Sequence, residues 1–254
     1  MFEVFLQFWP IIVSFFFIAI LYAAVGFGGG SSYLAILALT GIAFTQIRAT
    51  SLLCNIVVVS GNVFLFHRQK EIEWKKIIPL VFFSIPFSFL GGKLLISQNF
   101  FFILLGFTLL FAALTMWFSK KNSTKPNNTI NQNKIVNSGF GGFIGFISGM
   151  VGIGGGVFLA PLLHFTKWNT PKKIAATASV FILVNSIAGL IGQYANINFY
   201  VDWSLTGVLL ITVFIGGQIG SRFSTNFFTP IQLKKATAVL IAFVSLRILW
   251  KYLL

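Results

Sequence analysis

The sequence VGFGGG at residues 25–30 recurs as VGIGGG at residues 151–156, and each copy lies within a long apolar run. Glycine adopts backbone angles that other residues avoid, and it weakens a helix when it occurs in the interior. Three consecutive glycines therefore predict a break at which one helix ends and another begins. The two breaks are the reference points from which the rest of the chain is compared.

The composition around the breaks is that of an integral membrane protein. Of the 254 residues, 57% are hydrophobic and only 9% are charged, whereas a soluble domain carries about 25% charged residues. The apolar runs are continuous rather than alternating, which disfavours a membrane β-barrel. The net charge of +14 needs no nucleic-acid partner, because cytoplasmic loops of membrane proteins collect Lys and Arg. We expect an all-α, multi-pass protein of the cell (inner) membrane with the lipid bilayer as its partner.

Further segments repeat in the same order as the glycines. The tripeptide ATS at residues 49–51 is echoed by ATAS at 176–179, and GGK at 91–93 by GSR at 220–222. Chance similarity between apolar segments is the alternative, but the shared order and the nearly constant offset disfavour it. The sequence therefore indicates an internal duplication.

The duplication predicts three parts: a first membrane repeat at 1–118, a cytoplasmic linker at 119–137 and a second membrane repeat at 138–254. In each repeat we expect a helical hairpin broken at its glycines, followed by three transmembrane helices. Such a repeat crosses the membrane an odd number of times, so the two repeats have opposite orientations. Inverted-topology repeats with interrupted helices are a recurring architecture of secondary transporters.

The basic residues support this topology. With the linker in the cytoplasm, only four of the 18 Lys and Arg residues lie outside, and these are Arg48, Lys93, Arg247 and Lys251. Such a split agrees with the positive-inside rule. Both termini are then expected outside.

The glycine breaks are the candidate substrate site. A helix that begins after a break presents unpaired N–H groups and the positive end of its dipole, and both suit an anion. The alternative is that the glycines only permit close helix packing. Hydroxyls at the start of the following span either cap that helix or donate to the anion. The candidate substrate-binding residues are Gly28, Gly29, Gly30, Ser31, Thr50, Ser51, Gly154, Gly155, Gly156, Val157, Thr177 and Ser179.

Four basic residues are candidates for gate or entrance charges. Lys93 and Arg222 occupy equivalent repeat positions near opposite faces, and Arg48 and Lys173 form a looser second pair. They either attract an anion or extend towards lipid headgroups. The four acids all fall in termini or loops, so no intramembrane carboxylate is expected for a proton relay; these are Glu3, Glu71, Glu73 and Asp202.

Other side chains give weaker expectations. His164, in the second hairpin, has the chemistry to titrate near neutral pH. Cys54 is the single cysteine, so no cysteine metal cluster is expected, and neither a metal nor a cofactor is predicted. Polar residues within the long spans are expected to bond between helices, and they are Asn55, Asn62, Asn185, Ser186 and Gln193.

Taken together, these motifs resemble the TauE/SafE sulfite exporter family of the toluene-sulfonate uptake permease group. The resemblance rests on the paired glycine motifs, the two Ala-Thr segments and Asp202-Trp203, and it covers nearly the whole chain apart from the linker. It implies a permease, by its family name an exporter, for a small sulfur-containing oxyanion such as sulfite, thiosulfate or an organosulfonate. Glu73 stands where the family more often has Asp. Homo-oligomerisation is compatible with the resemblance.

Two alternatives remain beside a carrier that works by alternating access. One is an anion channel on the same scaffold, which would show no counterflow. The other is an intramembrane enzyme with Ser148 as nucleophile and His164 as base. The residues before Ser148, Gly145-Phe146-Ile147, lack the Gly-x-Ser spacing of the rhomboid proteases, so a protein without catalytic residues is favoured.

Overall fold

The structure, a computed structural model, describes residues 2–118, 134–166, 168–197, 199–222 and 230–253. Every regular element within these residues is a helix, which confirms the predicted all-α class. The helices are α1 Phe2–Ala24, α2 Gly30–Leu37, α3 Phe44–Arg68, α4 Trp74–Lys93, α5 Gln98–Phe118, α6 Lys134–Val151, α7 Gly156–Phe165, α8 Pro171–Tyr194, α9 Trp203–Arg222 and α10 Pro230–Leu253.

Six of these helices are long and apolar enough to cross a membrane, namely α1, α3, α4, α5, α8 and α9. Their outward faces carry large exposed apolar side chains, among them Phe82, Phe107, Phe111 and Phe214. Such an apolar surface is unfavourable in water and is suited to contact with lipid hydrocarbon chains. The chain is therefore a multi-pass membrane protein.

The glycine motifs lie between a long helix and a short one, as expected. The short helices begin one residue earlier than the sequence suggests, at Gly30 rather than Ser31 and at Gly156 rather than Val157. Helix α1 is long enough to cross the membrane alone, so the first hairpin pairs a full-length helix with an eight-residue return, α2. Helix α6 begins at Lys134, within the predicted linker, and residues 119–133 of that linker lie outside the described residues.

Helix packing has the same pattern in both halves. Helix α1 packs along α9 and its counterpart α6 packs along α4; likewise α3 packs on α9 and α8 on α4. The pairs α3 with α8 and α5 with α10 join counterparts to each other. Each of these contacts is reproduced when α1–α5 are exchanged with α6–α10. The two halves therefore share one packing scheme and interlock through it.

Close backbone contacts define the directions of the helices. Along α4 and α6, Leu80 faces Gly141 and Ser88 faces Gly149, so these two helices run parallel. Along α4 and α8, Asn185 bonds to Ser84, and a Cβ at Gly192 would collide with the carbonyl of Phe89, so α8 also runs parallel to α4. Helix α3 runs the opposite way, because Arg48 near its start reaches the end of α4. The counterparts α3 and α8 are thus antiparallel.

Candidate functional site

Asn55 lies midway along α3, where the two glycine segments, 26–30 and 152–156, come together. Its Nδ2 donates a hydrogen bond to the carbonyl oxygen of Ile153 over 2.9 Å. Asn55 is fully buried. One amide in the middle of a membrane-length helix thus links the first half of the chain to the break in the second half.

Both segments approach Asn55 closely because they lack side chains. A Cβ added at Gly28 or at Gly30 would collide with the Asn55 amide, and a Cβ added at Gly154 would lie 2.9 Å from its Nδ2. Such distances are too short for a real side chain. The requirement for glycine at these positions is therefore steric, and it comes from the convergence of three chain segments.

The short helices α2 and α7 begin at this convergence. Gly29, with φ 87°, directly precedes α2, and Gly155, with φ 83°, directly precedes α7, a conformation that other residues adopt only under strain. Helix α2 leads back to the start of α3, and α7 leads to the start of α8. Because α3 and α8 are antiparallel, α2 and α7 both begin at the glycine segments in the middle of the protein and run towards opposite ends of it. The positive ends of both helix dipoles therefore lie near the middle of the protein.

Four buried polar atoms around the glycine segments have no hydrogen-bond partner among the described residues. They are the hydroxyls of Tyr33, Ser148 and Ser186 and the Oδ1 of Asn55, which we call the central polar cluster. A Cβ at Gly29 would lie 3.1 Å from the Tyr33 hydroxyl, and one at Gly154 would lie 2.7 Å from the Ser186 hydroxyl. An unpaired buried polar group costs roughly 1–3 kcal/mol, so a cluster of four calls for a functional explanation.

The serines predicted to lie near the glycines bind the first glycine segment. The Ser51 hydroxyl donates to the carbonyl of Gly30 over 3.0 Å, and the Ser179 hydroxyl donates to the carbonyl of Gly26 over 2.5 Å. Because Ser179 belongs to α8, this second bond also joins the two halves. These hydroxyls hold the backbone of the break in place.

The remaining predicted residues lie around this core. The Thr50 hydroxyl is 3.0 Å from that of Thr206 in α9, and the Thr177 hydroxyl donates to Lys173 of its own helix. Ser31 is fully buried, as Gly156 and Val157 are buried in the first turn of α7. The structure thus brings the glycines and Ser31, Ser51 and Ser179 together, and places Thr50 and Thr177 against other partners.

The predicted entrance charges have three different surroundings. Lys93 and Arg222 are exposed at the ends of α4 and α9. Arg48 is only 3% exposed, and it is the one charged residue in the buried part of the described chain. Its guanidinium donates to the carbonyls of Gly92 and Gly149 over 3.4 and 3.3 Å.

Lys173 belongs to an ion-pair cluster that connects the loop before α4 to the start of α8. Glu73 pairs with both Lys173 and Lys76, and Glu71 pairs with Lys172 over 3.0 Å. Burial raises the pKa of Glu73, but hydrogen bonds from Lys173, Lys76 and a neighbouring asparagine outweigh burial and lower this pKa to about 2. Glu73 is therefore ionised at neutral pH, and the cluster ties the two halves together at this end.

From the sequence, Asn55 and Ser186 were assigned to bonding between helices, and Tyr33, in the helix start after the first glycine break, was given no binding role. Asn55 does bond between segments, but its partner is the backbone of the opposite glycine break. The clue in the sequence was the position of Asn55 at the centre of a long apolar span. A polar side chain inside a membrane is energetically unfavourable and therefore indicates a functional role. The partner of Asn55 was not readable, because it lies 98 positions away.

The enzyme alternative gains no support from the described geometry. Ser148 is buried beside Gly155, whereas the side chain of His164 lies outside the described residues, so the predicted titration of His164 also stays a prediction. Over the described part of the chain, no group of three His, Cys, Asp or Glu side chains could hold a metal ion.

The described residues form ten helices, which include two glycine-broken hairpins. The helices of one half reproduce the contacts of the other half. This architecture is that of a polytopic helical membrane protein. Residues 11–248 match the family described as "Sulfite exporter TauE/SafE", and the chain belongs to this family. It shares 34% identity over 243 residues with "Probable membrane transporter protein y4hK" of Sinorhizobium fredii, covering 94% of this chain and 96% of that one.

A second relative, "Probable membrane transporter protein" of Haemophilus influenzae, is 29% identical over 240 residues, covering 86% of this chain and 87% of its own. No solved structure gives a significant match. The family and these relatives make the protein a membrane transporter, and its helices provide the span lengths that a multi-pass transporter requires.

Proposed function

We propose that the protein is a secondary carrier that exports a small sulfur-containing oxyanion, such as sulfite, thiosulfate or an organosulfonate, across the inner membrane. The substrate binds at the convergence of the two glycine segments, and transport occurs by alternating access between two inverted repeats. The family name supports the sulfur oxyanion, and the following features of the site support the mechanism.

The observation that carries the proposal is the central polar cluster. Three unpaired hydroxyls, from Tyr33, Ser148 and Ser186, surround two helix N-termini within one region of the interior. Hydroxyls and helix N-termini both supply hydrogen-bond donors, and an oxyanion supplies only acceptors. Among the described buried residues there is no carboxylate that would repel an anion.

The arrangement of the halves supports alternating access. The counterparts α3 and α8 run antiparallel, as they would in inverted repeats, and hydrogen bonds at the glycine segments cross between the halves, notably Asn55 to Ile153 and Ser179 to Gly26. The ion-pair cluster holds one end of α4 and α8 closed, whereas a pocket opens beside Arg48 at the other end. Because the halves interlock, alternating access would exchange these two conditions by relative movement of helices packed across the halves, such as α4 with α6 against α1 with α9.

The direction follows from the charge of the substrate. A membrane potential changes the free energy of a transferred charge by about 2.3 kcal/mol per 100 mV, so an anion is driven out of a negative-inside cell without a coupling ion. We place the linker in the cytoplasm and both termini outside. The ion-pair cluster, with its several lysines, is then cytoplasmic and agrees with the positive-inside rule.

The decisive experiment is a flux panel with purified protein in liposomes. Sulfite, thiosulfate, sulfate, methanesulfonate and taurine are each tested, with and without a pH gradient. We expect saturable uptake of one or more of the sulfur oxyanions and counterflow by the same anion. Absence of flux for every anion would overturn the proposal, and flux without counterflow would replace the carrier with a channel.

A further inference from the structure

A pocket of about 160 Å³ opens at the end of the protein where α3 begins and where α4 and α8 end. Its lining includes Phe44, Thr45, Arg48, Gln193 and Asn196. A water molecule occupies about 30 Å³ in the liquid, so the pocket has room for several waters or for one small oxyanion. We call it the outer pocket.

Two residues that line the outer pocket each carry a buried donor without a partner among the described residues. The donors are Nε of Arg48 and Nε2 of Gln193, on side chains that are only 3% and 4% exposed. The other end of the Arg48 guanidinium is occupied, because Nη2 donates to two backbone carbonyls. The guanidinium is therefore held at Nη2, while its Nε has no partner among the described residues.

Among the described residues, the positive charge of Arg48 in the outer pocket pairs with no carboxylate. None of the residues that line the pocket is acidic. Glu71 and Glu73 are engaged in the ion-pair cluster at the opposite ends of α3 and α4, and Asp202, three residues after the lining residue Phe199, accepts a hydrogen bond from the backbone of Ser204. Retaining a buried cation in this state is unfavourable unless a counter-charge is supplied. An anion that enters from solution would supply that charge and would accept hydrogen bonds from both unpaired donors.

The pocket is connected to the central polar cluster by the second glycine segment. A Cβ at Gly152 would lie 3.1 Å from the Cα of Arg48, and Gly154 adjoins Asn55. Along α3, Arg48 precedes Asn55 by about 10 Å at the usual rise of a helix. An anion in the outer pocket would thus lie next to the backbone that leads to the central site.

This arrangement is confined to one half of the chain. In the other half, the contact that corresponds to Gly152 with Arg48 is Gly26 with Ala175, and the ring of Phe66 fills the space beside it. At this position the duplicated scaffold therefore has a buried cation, Arg48, in the first repeat and an alanine, Ala175, in the second. If Arg48 served only a structural role that both repeats share, the second repeat would not have alanine at the equivalent position.

We propose that Arg48 and Gln193 form an oxyanion-binding site in the outer pocket, distinct from the central site, which a small sulfur oxyanion occupies as it leaves or enters the carrier. The identity of the anion rests on the proposed function, whereas the existence of the site rests on the two unpaired donors. Arg48 supplies the charge, and Gln193 contributes a neutral hydrogen bond that orients the oxyanion.

The test measures equilibrium binding rather than transport. Wild-type protein in lipid nanodiscs is titrated calorimetrically with sulfite, thiosulfate and methanesulfonate, and the tightest of these is then used with Arg48→Lys and Gln193→Met. Lysine keeps the charge but loses Nε, and methionine keeps the size but loses Nε2. We expect each substitution to weaken binding roughly tenfold, as befits the loss of a hydrogen bond to an anion.

Gln193→Met keeps the proposal testable if Arg48→Lys does not fold. Since Nε2 of Gln193 has no partner among the described residues, its removal should leave the melting temperature of the anion-free protein unchanged or raised, while the shift that the anion induces becomes smaller. Lys251→Gln, which removes an exposed charge from the same predicted face, is the matched control and should bind as wild type does.

The results separate this site from the proposed function. If no anion of the three binds, or if both pocket variants bind as wild type does, the outer site is wrong even where liposome flux is intact. If the pocket variants weaken binding but wild-type protein transports no anion, the outer site stands and the carrier proposal fails.

Discussion

Asn55 and Ile153 join the two halves of the protein: the Asn55 amide donates to the Ile153 carbonyl over 2.9 Å, although 98 positions separate the residues. Replacement by leucine, Asn55→Leu, keeps the approximate volume but leaves this buried carbonyl without its donor. We expect the free energy of unfolding to fall by roughly 1–3 kcal/mol, together with a large loss of anion flux. Thermal unfolding in detergent and flux in liposomes measure the two effects.

Asn62→Leu is the matched control for this prediction. The Asn62 amide donates to the carbonyl of Phe27 over 3.4 Å, so it also binds a glycine segment, but within its own half. We expect a smaller loss of flux than for Asn55→Leu. Equal losses in the two variants would show that the contact between halves has no special role in transport.

For the unpaired hydroxyls of the central polar cluster, we expect substitutions to lower flux without lowering stability. Ser186→Ala removes an Oγ that has no partner in the described part of the chain, so the melting temperature should stay the same or rise, because no hydrogen bond is lost. Flux should fall several-fold if this hydroxyl binds the anion. Ser148→Ala should behave in the same way.

Ser60→Ala is the control for both serine variants. Ser60 is exposed on α3, and its hydroxyl donates to Ile56 of the same helix, away from the cluster. We expect wild-type flux from this variant. If Ser148→Ala and Ser186→Ala also show wild-type flux, these two hydroxyls do not bind the anion.

Much of the fold follows from local features of the sequence. A run of apolar residues long enough to cross a membrane predicts a helix whatever its neighbours are, and three consecutive glycines break a helix through the conformational properties of glycine itself. For this reason the breaks at Gly29 and Gly155 were predicted to within one residue of the observed starts of α2 and α7.

The partners within the site could not be predicted in this way, because they depend on the register between distant helices. Thr50 and Ser51 are neighbours in sequence, yet Ser51 binds the first glycine segment and Thr50 faces α9. Arg48 was interpreted as an entrance charge, and its burial results from the carbonyls of Gly92 and Gly149, which arrive from two other helices. A single sequence carries no information on such registers.

The parallel packing of α4 against α6 depends on glycine at every fourth position. Cβ atoms added at Gly141, Gly145 and Gly149 would each collide with a carbonyl of α4, so small residues allow the two backbones to touch. Gly149→Ala should force the helices apart and lower the free energy of unfolding by about 1–3 kcal/mol. Chemical or thermal unfolding in detergent measures this change.

Gly139→Ala, on the same helix, is the control for this packing. A Cβ at Gly139 would meet nothing within 4 Å, and alanine favours a helix over glycine by about 1 kcal/mol. We therefore expect a neutral or stabilising effect. Destabilisation by both substitutions to the same extent would mean that helix contact is not the reason for glycine at position 149.

The ion-pair cluster predicts how stability depends on pH. The pKa of Glu73 is lowered to about 2, against about 4.3 for an unperturbed glutamate. A carboxyl with a lowered pKa in the folded state stabilises that state fully above the unfolded value, and this contribution is lost as the pH falls through the folded value. The difference in melting temperature between wild type and Glu73→Gln should therefore be constant from about pH 8 to pH 5.5, and it should shrink below about pH 4.

A charge exchange shows whether this contribution belongs to the pair. Glu73→Lys and Lys173→Glu each place like charges together and should lower stability. The double variant should recover only part of the loss, because opposite charges again face each other at positions 73 and 173 while position 73 now repels Lys76. Asp202→Asn, which removes a carboxylate that accepts a bond from Ser204 of α9 instead, should not reproduce the pH dependence. If the pair also closes this end of the protein during transport, the single variants will show higher flux per folded protein at neutral pH than wild type, and the double variant will return towards the wild-type rate. Recovery of stability without recovery of the rate would confine the pair to a structural role.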